Sequence, residues 1–143
     1  MESRHLPPET PLLIYAEDDE DTAAFFRAEF QKIAPHWTIM WAQNGLAAKC
    51  LLAHPPAPRV LVTDLNMPGM NGLELIEWVK TQSQFHALPV VVRSNSGDPS
   101  DRRKCAGMGV SSYLDKPGLL KEVRSQIRYI LKLCEKSHSF AHI

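Results

Sequence analysis

No apolar run in this chain is long. The stretch 89–92 is typical, and segments of a few residues neither cross a bilayer nor form the core of a signal peptide, so the cytoplasm is the expected compartment. Net charge is missing too: 16 Lys plus Arg balance 16 Asp plus Glu, which leaves no field to draw nucleic acid or anionic lipid. Direct nucleic-acid or membrane partners are therefore not expected. Cysteine is scarce. Cys50, Cys105 and Cys134 are widely spaced, form no C-x-x-C pair, and read as buried free thiols rather than zinc ligands or a redox couple. The histidines (His5, His36, His54, His86, His138, His142) are scattered and show no ligand spacing, which argues against a transition-metal site. An apolar fraction of 44% and a charged fraction of 22% exclude disorder and fibrous repeats, and 143 residues suffice for one core rather than two.

What is present is a repeated alternation of short apolar runs with amphipathic segments. Proline and mixed charge in 1–10, and polar residues in 135–143, read as tails around a domain spanning 11–134. Within it, strands are predicted over 12–16, 38–42, 60–63, 89–93 and 111–114, and helices over 19–33, 46–53, 73–81, 99–106 and 119–134. Runs such as Val60-Leu61-Val62 and Val90-Val91-Val92 suit strands buried on both faces of a parallel sheet. Phe26, Phe30 and Ile33 form one stripe of the first helix; Leu120, Val123, Ile127, Ile130 and Cys134 form one stripe of the last. Asn71 reads as a helix N-cap, and Pro35, Pro55, Pro56 and Pro58 mark helix ends or loops. Met67, Met70 and Met108 read as gap-filling core residues. Five β/α units imply a doubly wound parallel α/β sheet with helices on both faces.

In such sheets the working residues lie beyond the carboxyl ends of the strands. Glu17 and Asp18 follow the first strand, Asp64 the third, Ser94 the fourth and Lys116 the fifth. Three carboxylates converging at one edge repel by about 4 kcal/mol per close pair at an intermediate dielectric, so they need a cation or must take up a proton. A hard divalent cation such as Mg²⁺ fits an all-oxygen site of carboxylates, a backbone carbonyl and water, and Asn66 could supply the carbonyl. Asp19 and Asp21 are equally well explained by a helix N-terminus and stay outside the site.

Three segments carry a resemblance: Ile14-Tyr15-Ala16-Glu17-Asp18-Asp19, Val62-Thr63-Asp64-Leu65-Asn66-Met67-Pro68-Gly69-Met70-Asn71-Gly72, and Tyr113-Leu114-Asp115-Lys116-Pro117. In order, spacing and strand-end placement the chain resembles the receiver domains of response regulators. The resemblance implies a flavodoxin-like (βα)5 fold and a receiver that signals through its surface without turning over an external substrate, and a length with room for one domain makes a stand-alone receiver the expectation. It implies that Asp64 accepts a phosphoryl group from a histidine kinase or phosphotransfer protein. Glu17, Asp18, Asp64 and the Asn66 carbonyl would hold Mg²⁺ (or Mn²⁺), while Ser94, the Asn95 backbone amide and Lys116 would contact the phosphoryl oxygens. It further implies a cis peptide between Lys116 and Pro117, and a switch made of Ser94 and Tyr113. The fourth helix, fifth strand and fifth helix would then form the face for partners or a homodimer.

Arg93, Asn95 and Gly118 depart from the family pattern: an apolar strand residue, a small residue and an apolar residue, respectively, are usual there. The resemblance also implies that the Asn66 and Ser96 side chains border the path of hydrolytic water, which makes them candidates for tuning autodephosphorylation. Two alternatives stand beside the receiver: a Mg²⁺-dependent phosphatase with an aspartyl nucleophile, and a receiver-like adaptor that is never phosphorylated. The first usually has a second Asp where this chain has Asn66.

Overall fold

The central strands of the sheet are short runs rich in Val, Ile and Leu, as suits strands covered on both faces, while the edge strands, Thr-Ile-Met-Trp-Ala and Ser-Tyr-Leu-Asp, are more mixed and less buried. In the computed structural model, which describes residues 10–141 and side-chain burial through Lys136, the strands are β1 (Leu12–Ala16), β2 (Thr38–Ala42), β3 (Val60–Thr63), β4 (Val90–Ser94) and β5 (Ser112–Asp115). Between them lie α1 (Glu20–Ile33), α2 (Gly45–Leu52), α3 (Gly72–Thr81), a 3-10 turn at Ser83–Phe85, α4 (Pro99–Gly107) and α5 (Leu120–Ala141). All pairings are parallel, in the order β2-β1-β3-β4-β5. Strand order reverses at β1, which opens a crevice beyond the carboxyl ends of β1 and β3.

Successive strand residues face opposite layers, and the core divides accordingly. Leu12, Ile14, Ala16, Leu61, Val90 and Val92 pack with Leu75, Ile76, Val79 and Cys105 on the side of α2, α3 and α4. Leu13, Tyr15, Val60, Val62 and Val91 pack with Phe26, Phe30, Val123, Ile127 and Ile130 on the side of α1 and α5. Met67 is buried, and Met70 and Met108 pack at the margin of the first cluster, as gap-filling residues do.

Helix starts follow side-chain capping. Asp19 accepts the Thr22 backbone N–H at 2.8 Å, which begins α1 one residue later than predicted. Asn71 and Glu74 form a reciprocal capping box that begins α3.

Three expectations need correction. The last helix continues to Ala141, so most of the expected 135–143 tail is helical; no Pro or Gly lies in that polar segment to stop a helix that is already nucleated. Cys50 is exposed on α2, whereas Cys105 and Cys134 are buried; burial pushes the Cys134 thiol up to about 12. The peptide before Pro117 is trans. Among the described residues the cis bond is Pro55-Pro56. Apart from Thr10, the expected 1–10 tail lies outside the described residues, as do His5 and His142.

Candidate functional site

Strand register brings the predicted residues together. Ala16 pairs with Thr63, and the ladder runs one step further, Asp64 N–H to Ala16 O at 2.9 Å, so Glu17 and Asp64 leave the sheet side by side. Ser94 pairs with Asp115, and the Lys116 N–H donates to Ser94 O at 3.1 Å, which sets Lys116 beside the end of β4. A trans Lys116-Pro117 peptide suffices to turn the ammonium inward, because this strand-end pairing already aims it at the crevice.

Glu17, Asp18 and Asp64 each present a carboxylate oxygen within 4.8 Å of the others. Lys116 bridges two of them, with Nζ at 2.7 Å from Glu17 Oε1 and 2.9 Å from Asp64 Oδ2. Asp64 Oδ1 accepts the Leu65 N–H at 2.7 Å and, more weakly, the Asn66 N–H at 3.4 Å. The nucleophile expected from the sequence is thus buried, oriented by the backbone on one oxygen and by a cation on the other. Gly72 permits this geometry: a Cβ there would sit 2.1 Å from the Asp64 carbonyl oxygen. Asp18 and the Asn66 side chain are exposed.

Burial raises the Glu17 carboxyl above its usual range, although hydrogen bonds from Lys116 and the Asp19 N–H work against it. Desolvation works to lower Lys116, but hydrogen bonds and charge from Glu17 and Asp64 outweigh it and raise the ammonium. Two of the three acids share one ammonium, and the donor set of carboxylate oxygens without nitrogen or sulfur fits a hard divalent cation.

Ser94 is fully buried at the end of β4, and its Oγ accepts the Ser96 N–H at 3.1 Å. Tyr113 is half-buried; its hydroxyl donates to the Ser96 carbonyl at 3.4 Å, and the Arg102 guanidinium lies 4.3 Å over its ring. Ser96 thus touches both predicted switch residues, and its own hydroxyl donates to Asp101 at 2.5 Å. Asn95 is exposed and lines a cleft of about 510 Å³ with Arg93, Lys116 and Gly118; Phe25, Leu119 and Leu120 expose apolar surface there.

Sequence reasoning missed a polar connection beneath the site. Tyr15 donates to Glu17 Oε1 at 3.3 Å and accepts from Arg93 at 2.8 Å. Burial holds the Tyr15 phenol far above its ordinary range, against the pull of Arg93. The signal available in the sequence was Arg93, a charge closing a Val-Val-Val strand.

A crevice at the strand-order reversal, three clustered acids and a lysine from the last strand define the receiver class of α/β proteins. A family model described as the response regulator receiver domain matches residues 13–128, and the chain belongs to that family. It is 31% identical over 129 residues to the transcriptional regulatory protein TctD of Salmonella typhimurium, covering 84% of this chain and 51% of TctD; the chain therefore spans about half of that relative. It is 29% identical over 96 residues to a chemotaxis protein CheY homologue of Campylobacter jejuni, covering 67% of this chain and 74% of the homologue. In fold it is similar to the Mn²⁺-bound form of response regulator Rcp1 (TM-score 0.75, 23% identity, 84% of this chain and 91% of that one). It is likewise similar to the phosphorylated cyanobacterial phytochrome response regulator RcpA (TM-score 0.78, 20% identity, 85% and 91%). No helix among the described residues is long and apolar enough to cross a membrane.

Proposed function

We propose that the chain is a signalling phosphoacceptor: Asp64 takes a phosphoryl group from a histidine kinase or phosphotransfer protein in a Mg²⁺-dependent reaction, and the protein signals through phosphorylation-controlled contacts. The observation that carries this reading is the Lys116 ammonium held between Glu17 and Asp64, with Asp18 completing the acid cluster. Glu17, Asp18, Asp64 and the Asn66 carbonyl would hold Mg²⁺, which supplies charge neutralisation for an anionic nucleophile and an anionic donor.

The chain's own groups do the rest. An Asp64 carboxylate oxygen attacks phosphorus as the phosphorus–nitrogen bond of the donor breaks, and the departing imidazole keeps its electron pair and takes up a proton. Lys116 moves its ammonium to the phosphoryl oxygens, while the Leu65 N–H keeps the carboxylate oriented. The Ser94 hydroxyl and the Asn95 amide would receive the new oxygens. Ser94 would then give up the Ser96 N–H, and Tyr113 the Ser96 carbonyl, so both events act on one loop before α4. The exposed apolar rim of Phe25, Leu119 and Leu120 beside Lys116 fits docking of a protein donor. The surface of α4, β5 and α5 is the proposed output face, for a partner or a second copy.

Mg²⁺ with acetyl phosphate or beryllofluoride tests this. Trp41, whose indole donates to the Glu17 carbonyl at 2.7 Å, is a built-in reporter. The expected result is a saturable fluorescence change and a mass gain of one phosphoryl group in the wild type, both lost in Asp64→Asn. No change in the wild type, or the same change in the variant, overturns the reading.

A further inference from the structure

Arg93 is 3% exposed in the middle of the fold, and among the described residues no carboxylate pairs with it. A buried guanidinium is costly unless its donors are satisfied. Its Nη1 donates to Tyr15 Oη at 2.8 Å, its Nε donates to Gln126 Oε1 at 2.9 Å, and its face lies 4.6 Å from the Phe26 ring. From Tyr15 the path reaches Glu17 Oε1, the oxygen that also accepts from Lys116. From Gln126 it reaches the Asp115 carbonyl at 2.6 Å, one residue before Lys116. The path closes into a ring through β1, β4, α5 and the end of β5, with Glu17 and Lys116 as its working members.

We propose that Tyr15 and Arg93 are positioning residues for the acid site, holding the Glu17 carboxylate and the Lys116 segment in the geometry that receives a divalent cation. The inference rests on the phosphoacceptor reading above. Packing alone gives no reason for this pair: Phe at 15 and an apolar residue at 93 would fill the same space without a buried charge. Glu17 supplies the reason, because it is fully buried and one methylene longer than aspartate, so it has more rotamers to misplace its oxygens. Its Oε2 is held by the Asp19 N–H at 3.1 Å, and its Oε1 by Lys116 and Tyr15. Once Lys116 turns to a phosphoryl group, the Tyr15 hydroxyl is the side-chain donor that stays on Oε1. Arg93 fixes that hydroxyl by occupying its acceptor side, and Gln126 fixes Arg93 while anchoring the backbone beside Lys116.

The test is titration with Mg²⁺ alone, read by Trp fluorescence and by amide shifts of residues 17 and 116, on wild type, Tyr15→Phe, Arg93→Met and Arg93→Lys. Removing a group that orients a metal ligand typically weakens metal binding about 10–100-fold. Tyr15→Phe, which loses the 3.3 Å bond to Glu17 and the oxygen that accepts from Arg93 at 2.8 Å, is expected to weaken binding about tenfold or more. Arg93→Met should weaken Mg²⁺ at least as much and shift the Lys116 amide, and Arg93→Lys should recover part of both effects. If Arg93→Met does not fold, Tyr15→Phe decides, since it removes one oxygen and keeps the ring. Folded variants that bind Mg²⁺ like the wild type overturn the positioning role and leave the phosphoacceptor reading standing. Failure of the wild type to bind Mg²⁺ overturns both.

Discussion

Helices α1 and α5 are held to the sheet in ways that α4 is not. The first pair inserts Ala23, Phe26, Phe30, Val123, Ile127 and Ile130 into a closed cluster, with aromatic contacts from Tyr15 to Phe26 and from Phe26 to Phe30. Arg93 and Gln126 add hydrogen bonds from strand to helix. Helix α4 buries Cys105 alone, and Arg102 ties it to Asp115 and the Tyr113 ring through exposed or half-exposed groups. The acid site leans on the first layer, and the predicted switch residues adjoin the second. A site that must hold its acids in place and still send a signal can keep the two tasks apart in this way. Moving α4 disturbs little buried area, whereas moving α1 or α5 disrupts the core beneath Glu17.

The largest expected effect breaks this contrast directly. Phe26→Ala removes a fully buried ring and should cost about 3–5 kcal/mol in urea unfolding. Cys105→Ala, the corresponding truncation on α4, should cost about 1 kcal/mol. Similar losses at the two sites would mean that α4 is anchored by its one buried side chain as firmly as α1 is by its cluster, and the contrast would fail. A finer measure is amide exchange in the unphosphorylated protein. Protection over α4 should be lower than over α1 on the order of tenfold or more, because opening α4 exposes one buried side chain rather than a cluster. Equal protection would make the whole domain one cooperative unit and remove the case for a separately mobile face.

The same contrast marks what the sequence could convey. Strand positions were legible because short apolar runs bounded by turn residues stand out, most clearly the uninterrupted Val and Leu of β3 and the Val-Val-Val of β4; the predicted β1, β2 and β3 coincide with the observed strands, and β4 and β5 begin one residue later than predicted. The acids and Lys116 were legible because each stands just after such a run, and register needs only backbone pairing to gather them. Tyr15 and Arg93 were not, since the partners of a long polar side chain depend on which face it leaves and on what α5 places opposite, here Gln126 some 33 residues away. Arg93 showed as a departure from pattern, with no indication of its role. The cis bond before Pro117 came from the family resemblance alone; the bond is trans, and the pairing of β4 with β5 already aims Lys116 inward. The end of α5 was placed early because polar composition in 135–143 was read as a tail, although polar residues also suit a solvated helix end.

The smallest expected effect sharpens the firm side of the comparison. Glu29 on α1 is buried and accepts from Arg124 on α5 at 2.9 Å and from Lys32 at 3.0 Å. The hydrogen bond from Arg124 and then that from Lys32 hold its carboxyl below the ordinary value of 4.5. With the folded value lower than the unfolded one, the unfolded chain binds the proton more readily on acidification. The contribution of this clasp is therefore complete above pH 4.5 and is lost as pH falls through the folded value. Other capped carboxylates, Asp19 and Asp98, are lowered as well, so the total acid limb is not diagnostic. The difference between wild type and Glu29→Gln is. Melting curves from pH 6 to 3 should show a wild-type advantage at pH 6 that shrinks steadily below pH 4.5, as protonation turns Glu29 into a neutral group resembling the amide. An advantage that stays constant to pH 3 would mean that Glu29 joins α1 to α5 through packing and neutral hydrogen bonds rather than through its charge.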